Sequence, residues 1–166
     1  MQNHTQLPTG LSFSYETERL ILRLPSTDYL REIHDFLYRN RSCFEKYEPT
    51  APENYYTLDF QQTLARCELK LALKLSSVRF YVFLKEDPST IIGTVCLHNI
   101  IKMPYFTSEV GYKFDASYQH HGYAREALSM ALSVGFYGLG LHKIFARCMP
   151  ENTPSRSLLH ATGFFE

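Results

Sequence analysis

Apolar positions recur along this chain in two periods, and the switches between them mark its elements. Residues 18–24 are β-rich and leucine-patterned, a first strand ended by Pro25. Ser26 or Thr27 then caps a helix running to about residue 40, with Leu30, Ile33, Phe36 and Leu37 at i, i+3, i+6 and i+7. Residues 44–56, rich in aromatics and prolines, read as a loop. Residues 58–75 read as a second amphipathic helix, with Leu64, Leu71 and Leu75 along its apolar face. A strand over 78–84, a turn over 86–89, a longer strand over 91–101 and a turn over 103–105 lead into a strand over 107–114. A helix follows from about 122 to 137, closed by Gly138-Leu139-Gly140, and then a strand over 142–149. A last helix starts at Thr153 or Pro154 and runs through about 162, and Gly163-Phe164-Phe165 begins another strand. The predicted order is β-α-α-β-β-β-α-β-α-β. A meander followed by a βαβ unit gives an α/β (α+β) fold, with a mixed, mostly antiparallel sheet and helices on both faces.

One junction in this pattern carries chemistry. The strand Glu109-Val110-Gly111-Tyr112-Lys113-Phe114 leads to Gln119-His120-His121-Gly122-Tyr123-Ala124-Arg125-Glu126, which reads Q-x-x-G-x-A and opens a helix. A strand passing through a small-residue turn into a helix N-terminus makes an anion site, because the first-turn N–H groups are unpaired and the helix dipole favours negative charge. Side chains in place of Gly122 and Ala124 would hold a phosphate away from that backbone. The loop has no GK[ST] and lacks the three-glycine dinucleotide fingerprint. It suits a diphosphate bound without a metal.

This signature resembles the acyl-CoA loop of the GNAT N-acetyltransferase superfamily, and the chain is similar to its ribosomal-protein branch, the RimJ/RimL type. Five segments carry the resemblance in order: Glu16-Thr17-Glu18-Arg19-Leu20-Ile21-Leu22-Arg23, Ile92-Gly93-Thr94-Val95-Cys96-Leu97, Ser108-Glu109-Val110-Gly111-Tyr112, Gly122-Tyr123-Ala124-Arg125-Glu126-Ala127, and Asn152-Thr153-Pro154-Ser155 with Leu159 and Gly163-Phe164. It covers the chain from about residue 16 to the end, leaving 1–15 as a flexible lead-in to a single domain. The resemblance implies a GNAT fold whose sheet splays between the strands over 107–114 and 142–149. It implies acetyl-CoA as co-substrate, with pantetheine pairing along the backbone of Tyr112, Lys113 and Phe114. Its diphosphate would rest on Gln119, His120, His121, Gly122, Tyr123, Ala124 and Arg125. Members of this family normally continue beyond the point where this chain stops, through the rest of one strand and another that backs the acceptor site. Glu166, just after Gly163-Phe164, therefore reads as the end of a short member or of a truncated one.

Acyl transfer from a thioester to an amine needs a neutral amine, a polarised carbonyl, alignment and a proton for the leaving thiolate. Alignment alone can supply roughly 7–11 kcal/mol of the barrier at best, and a main-chain N–H on the splayed strand can polarise the carbonyl. Glu109 is the candidate base; in a hydrophobic cleft it would take the ammonium proton directly or through water. The same carboxylate also reads as a substrate-binding or merely exposed strand residue. Asn152 and Ser155 suit helix caps, with Pro154 in the first turn. The resemblance sets both beside the coenzyme sulfur, where the Ser155 hydroxyl would protonate the thiolate. Arg125 and Lys113 are near enough in sequence to reach phosphates and read equally well as solvated charges. No tyrosine among Tyr112, Tyr118 and Tyr123 matches the family's acid by motif. Residues 44–49 and Tyr55-Tyr56 would cap the acceptor site, where Glu45, Glu48 and the aromatics suit a peptide N-terminus or a small amine. His98 is an outside candidate on the same side.

Composition narrows the remaining classes. A chain of 166 residues, 45% apolar and 20% charged, is an ordinary single globular domain. Its 17 basic and 17 acidic side chains cancel, which argues against nucleic-acid binding by bulk charge. No run approaches the ~18 apolar residues of a membrane span, and the polar residues 1–11 do not read as a signal peptide. Cys43, Cys67, Cys96 and Cys148 have no metal spacing and fit buried thiols in a reducing cytoplasm. The adjacent His120-His121 pair would splay apart and make a poor metal pair. The expectation is a cytoplasmic acetyl-CoA-dependent N-acetyltransferase without a metal. Its acceptor would be a protein N-terminal α-amine, such as a ribosomal protein's, or a small amine, and exposed aromatics leave a homodimer open. A catalytically weak acyl-CoA-binding module is the alternative from another class.

Overall fold

The computed structural model describes residue 7 and residues 10–166. Among these residues six strands form one sheet in chain order: β1 Ser14–Glu16, β2 Leu20–Arg23, β3 Val78–Leu84, β4 Ile91–Ile101, β5 Thr107–Phe114 and β6 Lys143–Phe145. Neighbours pair antiparallel from β1 to β5, and β5 pairs parallel with β6. Among the described residues five α-helices join them: α1 Leu30–Arg39, α2 Arg41–Phe44, α3 Leu58–Leu73, α4 Tyr123–Ser133 and α5 Thr153–Ala161. The α/β class and the mostly antiparallel mixed sheet are those the periodicity predicts.

Both sheet faces are covered, so the central strands are apolar on both sides. Phe80, Val82 and Leu84 of β3, with Val95 and Leu97 of β4, pack against Ala127, Leu128 and Ala131 of α4 and Leu159 of α5. One residue out of phase, Tyr81 and Phe83 meet Ile33, Phe36 and Leu37 of α1 and Ala65 of α3. Each fully buried Leu, Ile or Phe stabilises the fold by about 1.5–3 kcal/mol. Gly93 is required where β4 faces β5, because a Cβ there would stand 2.3 Å from the Phe114 ring.

The elements depart from the sequence reading in four places. Of the lead-in expected over 1–15, residues 1–6, 8 and 9 lie outside the described residues; Leu11 is fully buried and Ser14–Glu16 pairs with β2. The loop over 44–56 holds a 3-10 turn, Glu53–Tyr56, and α2 precedes it. On α3 the expected leucine face is only partly turned inward: Leu71 is exposed, Leu64 and Leu75 are half-buried, and the buried stripe is Gln61, Ala65 and Ala72. Small residues let this helix lie close to the sheet, and Gln61 is satisfied by donating to the Tyr55 carbonyl at 2.6 Å.

The fourth departure is at the C-terminal edge. The strand expected over 142–149 is three residues long, Lys143–Phe145. The expected strand at Gly163-Phe164-Phe165 does not form. Gly163 has φ +92° and the Phe164 N–H donates to the Leu159 carbonyl at 3.0 Å, so these residues close the C-terminus of α5 instead.

Candidate functional site

The β5–β6 ladder is short. Thr107, Ser108 and Glu109 pair with Lys143, Ile144 and Phe145, and beyond Glu109 the strands part. β5 keeps its partner β4 as far as Phe114, so its other edge runs unpaired past Gly111, Tyr112 and Lys113. A cleft of about 380 Å³ opens there, walled by Gly111, Tyr112, Arg147, Cys148, Asn152 and Ser155. Tyr47 reaches it from the segment between α2 and α3.

Two hydroxyls meet on one wall. The Tyr112 oxygen lies 2.8 Å from Ser155 Oγ and donates to the Ser155 carbonyl at 3.1 Å. Burial pushes the Tyr112 phenol above its ordinary value, and the bond to Ser155 offsets part of that rise. Asn152 caps α5 by accepting the Ser155 N–H at 3.2 Å, so its amide fixes the helix turn that carries the serine hydroxyl.

Glu109 stands at the point of parting and is 8% exposed. Its environment is less apolar than the sequence suggests. Arg147, three-quarters exposed on the segment that follows β6, donates to Oε2 at 2.7 Å, bridging the split from the β6 side. Oε1 accepts no hydrogen bond from the described residues. Sequence reasoning missed Arg147. Its only trace is a cation two residues past β6, a position that acquires meaning once β6 is known to end at Phe145.

Lys113 faces away from the cleft. Its Nζ donates to Glu48 Oε1 at 2.9 Å and Oε2 at 3.2 Å, and lies 4.9 Å over the Phe44 ring. Burial lowers its pKa while Glu48 resists that shift. The pair ties the segment between α2 and α3 to β5. On the same sheet face Arg79 donates to Glu68 at 2.6 Å. Burial opposes the guanidinium charge there, and the neighbouring carboxylate outweighs it. Burial also pushes Tyr55 up to about 12. His98 is the register partner of Glu109, and its Nε2 lies 3.4 Å from where a Gly111 Cβ would be.

The loop after β5 is fixed at both ends. At its start Asp115, 3% exposed, accepts from Arg39 Nε at 2.6 Å, Asn40 Nδ2 at 3.0 Å and the Ser117 N–H at 2.9 Å. Burial alone would raise this carboxyl, but the bonds from Asn40 and Arg39 hold it below the ordinary range. At its end Glu126 accepts from Thr17 Oγ1 at 2.6 Å and from the Arg19 N–H and Nε, both at 2.8 Å. Against the cost of burial, these bonds hold Glu126 low as well.

Between the anchors, Gln119 ends a 3-10 turn and its carbonyl lies 2.7 Å from His121 Nδ1. His120 takes φ +64° and Gly122 φ +81°, conformations that turn the chain sharply into α4. Gly122 caps the helix without a side chain, and its carbonyl accepts the Glu126 N–H at 3.1 Å. The N–H groups of Tyr123, Ala124 and Arg125 find no acceptor among the described residues. They are the unpaired helix N-terminus that the motif predicts. Arg125 is exposed and makes no ion pair among the described residues.

Comparison with known proteins gives this geometry a family. Residues 19–165 match the model of the acetyltransferase (GNAT) domain. The Bacillus subtilis protein named Probable N-acetyltransferase YjcK is 31% identical over 125 residues, covering 75% of this chain and 68% of that relative. The crystal structure of ribosomal-protein-S5-alanine acetyltransferase from Vibrio fischeri superposes with a TM-score of 0.86 at 29% identity, covering 92% of this chain and 83% of that one. Mycobacterium smegmatis RimJ, solved in complex with CoA-disulfide, shares the fold at a TM-score of 0.82 and 23% identity, over 89% of this chain and 70% of that one. A domain match over nearly the whole chain, on a sheet that parts after Glu109, places the protein in the GNAT acetyltransferase family as an N-acetyltransferase.

Proposed function

We propose that this enzyme transfers the acetyl group of acetyl-CoA to a protein N-terminal α-amine, such as that of a ribosomal protein. The observation that carries the reading is the parting of β5 from β6 after Glu109, beside the Tyr112–Ser155 hydroxyl pair. The name of the Vibrio fischeri structure and the coenzyme bound to Mycobacterium smegmatis RimJ support acceptor and donor respectively. The cytoplasm, where ribosomal proteins are made, is the fitting compartment.

In this reading pantetheine lies along the unpaired edge of β5 at Tyr112, Lys113 and Phe114, as an added strand would. Its diphosphate meets the free N–H groups after Gly122 and the exposed Arg125. Glu109 Oε1 takes the proton from the acceptor ammonium, directly or through one water, while Arg147 remains on Oε2. The neutral nitrogen attacks the thioester carbon, and a main-chain N–H of the splayed strand stabilises the developing oxyanion. As the carbon–sulfur bond breaks, Ser155 gives its hydroxyl proton to the thiolate. The Tyr112 phenol, hydrogen-bonded to Ser155 Oγ, resupplies it and recovers its own proton from solvent.

Calorimetric titration with acetyl-CoA, followed in the same cell by thiol release on adding an Ala- or Ser-started peptide, tests this directly. Binding with release supports it. Release with a small primary amine but not with peptides moves the acceptor to small molecules. Binding without turnover on either class leaves a binding module, and no binding overturns the reading of the 119–125 loop.

A further inference from the structure

The loop that meets the diphosphate carries no lysine, yet a cation is set against it from a distant part of the chain. Arg19 lies in the turn between β1 and β2, and its NH2 stands 3.3 Å from where a Cβ on Gly122 would be. Three contacts fix this guanidinium. Nε and NH2 hold Glu126 Oε2 at 2.8 and 2.7 Å, and NH1 donates to the His121 carbonyl at 2.9 Å. Its Cζ lies 4.6 Å over the Tyr123 ring, and the backbone N–H of the same residue also holds Glu126.

A guanidinium has five N–H donors in a planar fork. The Glu126 and His121 contacts use one on each of its three nitrogens, so the second proton on NH1 and on NH2 has no partner among the described residues. The side chain is 43% exposed. An arginine locked in place by one carboxylate and one carbonyl, with two donors left over beside an unsatisfied helix N-terminus, is preorganised for an oxyanion.

Resting on the proposed acetyl-CoA reading, we propose that Arg19 is a diphosphate-binding residue of the cofactor site. It contributes two charge-assisted hydrogen bonds from outside the Q-x-x-G-x-A segment and holds the His121 carbonyl so that the first-turn N–H groups face the same anion. Glu126 is its positioning residue.

The test compares two donors that differ in the diphosphate. Dissociation constants of acetyl-CoA and of S-acetylpantetheine, which ends before the diphosphate, are measured for the wild type, Arg19→Gln and Arg19→Lys, by calorimetry and by displacement. Arg19→Gln is expected to weaken acetyl-CoA by about tenfold or more, the scale of a charge-assisted hydrogen bond. S-acetylpantetheine should stay within about twofold, and the salt dependence of acetyl-CoA binding should flatten. Arg19→Lys keeps a point charge but loses the fork, so it should fall between the two, and it carries the same comparison if Arg19→Gln does not fold. Equal weakening of both donors, or no weakening of acetyl-CoA, overturns the assignment. Failure of the wild type to bind acetyl-CoA would instead overturn the cofactor reading itself.

Discussion

The Tyr112 hydroxyl stands 2.8 Å from Ser155 Oγ, joining β5 to α5 where β5 has lost its neighbouring strand. If the two hydroxyls act as one proton source, their losses do not add. Ser155→Ala and Tyr112→Phe should each lower kcat by roughly 10- to 100-fold, and the double variant should be little worse than the poorer single one. Acetyl-CoA affinity should change far less. Steady-state kinetics on the four proteins close the cycle, and additive losses would separate the residues.

Glu109→Gln keeps the shape and removes the base. Acetyl-CoA should bind as before, while kcat/KM for the amine falls by about 100-fold or more at neutral pH, with the loss shrinking at higher pH as free amine becomes abundant. An unchanged rate across pH would remove Glu109 from proton transfer.

Lys113 is engaged with Glu48 rather than aimed at the loop over 119–125. Lys113→Met should therefore leave acetyl-CoA affinity within about twofold, because a fold-change of that size is below one lost charge-assisted bond. The acceptor KM should rise as the segment between α2 and α3 loosens. A large loss of acetyl-CoA binding would show the side chain acting on the cofactor.

Acid should release the loop before the core. Asp115 and Glu126 are both held low in the fold, so the native state binds fewer protons than the unfolded chain. Their contribution is full above the ordinary carboxylate range, near pH 4, and is lost as pH falls through the lower folded-state values. Asp115→Asn should lower stability by about 1–3 kcal/mol at neutral pH and flatten the acid limb of the melting temperature below pH 4. Thermal melts at stepped pH read both effects.

Gly122 sits at φ +81° with the Arg19 guanidinium against it. Gly122→Val would place a β-branched residue in a left-handed conformation, costing roughly 1–2 kcal/mol of stability. It should also weaken acetyl-CoA by about tenfold, since the added methyls stand between the ligand and the N–H groups. Unchanged affinity would place the diphosphate elsewhere.

What was legible in the sequence is what depends on local pattern. β4 and β5 fall where their alternation sets them, and the turn into α4 sits on Gly122. What was not legible depends on distant partners. The leucines of α3 make a plausible apolar face, but the sheet beneath it presents Arg79 and Tyr81, so Ala65 packs there while Glu68 meets Arg79. The Glu109–Arg147 bridge and the Arg19 contacts join residues 38 and more than 100 positions apart, with no motif between them. The end of β6 at Phe145 is set by where it leaves β5, not by its own apolar run.

The loop over 115–126 is tied at its two ends by different parts of the chain, α1 at Asp115 and the β1–β2 turn at Glu126. Its shape is therefore settled when the protein folds, and an arriving ligand has little backbone disorder left to remove. Binding at such a loop should be fast and nearly free of induced closure, and the rate-limiting rearrangements of turnover belong instead to the acceptor side, where the Lys113–Glu48 pair ties the covering segment to β5.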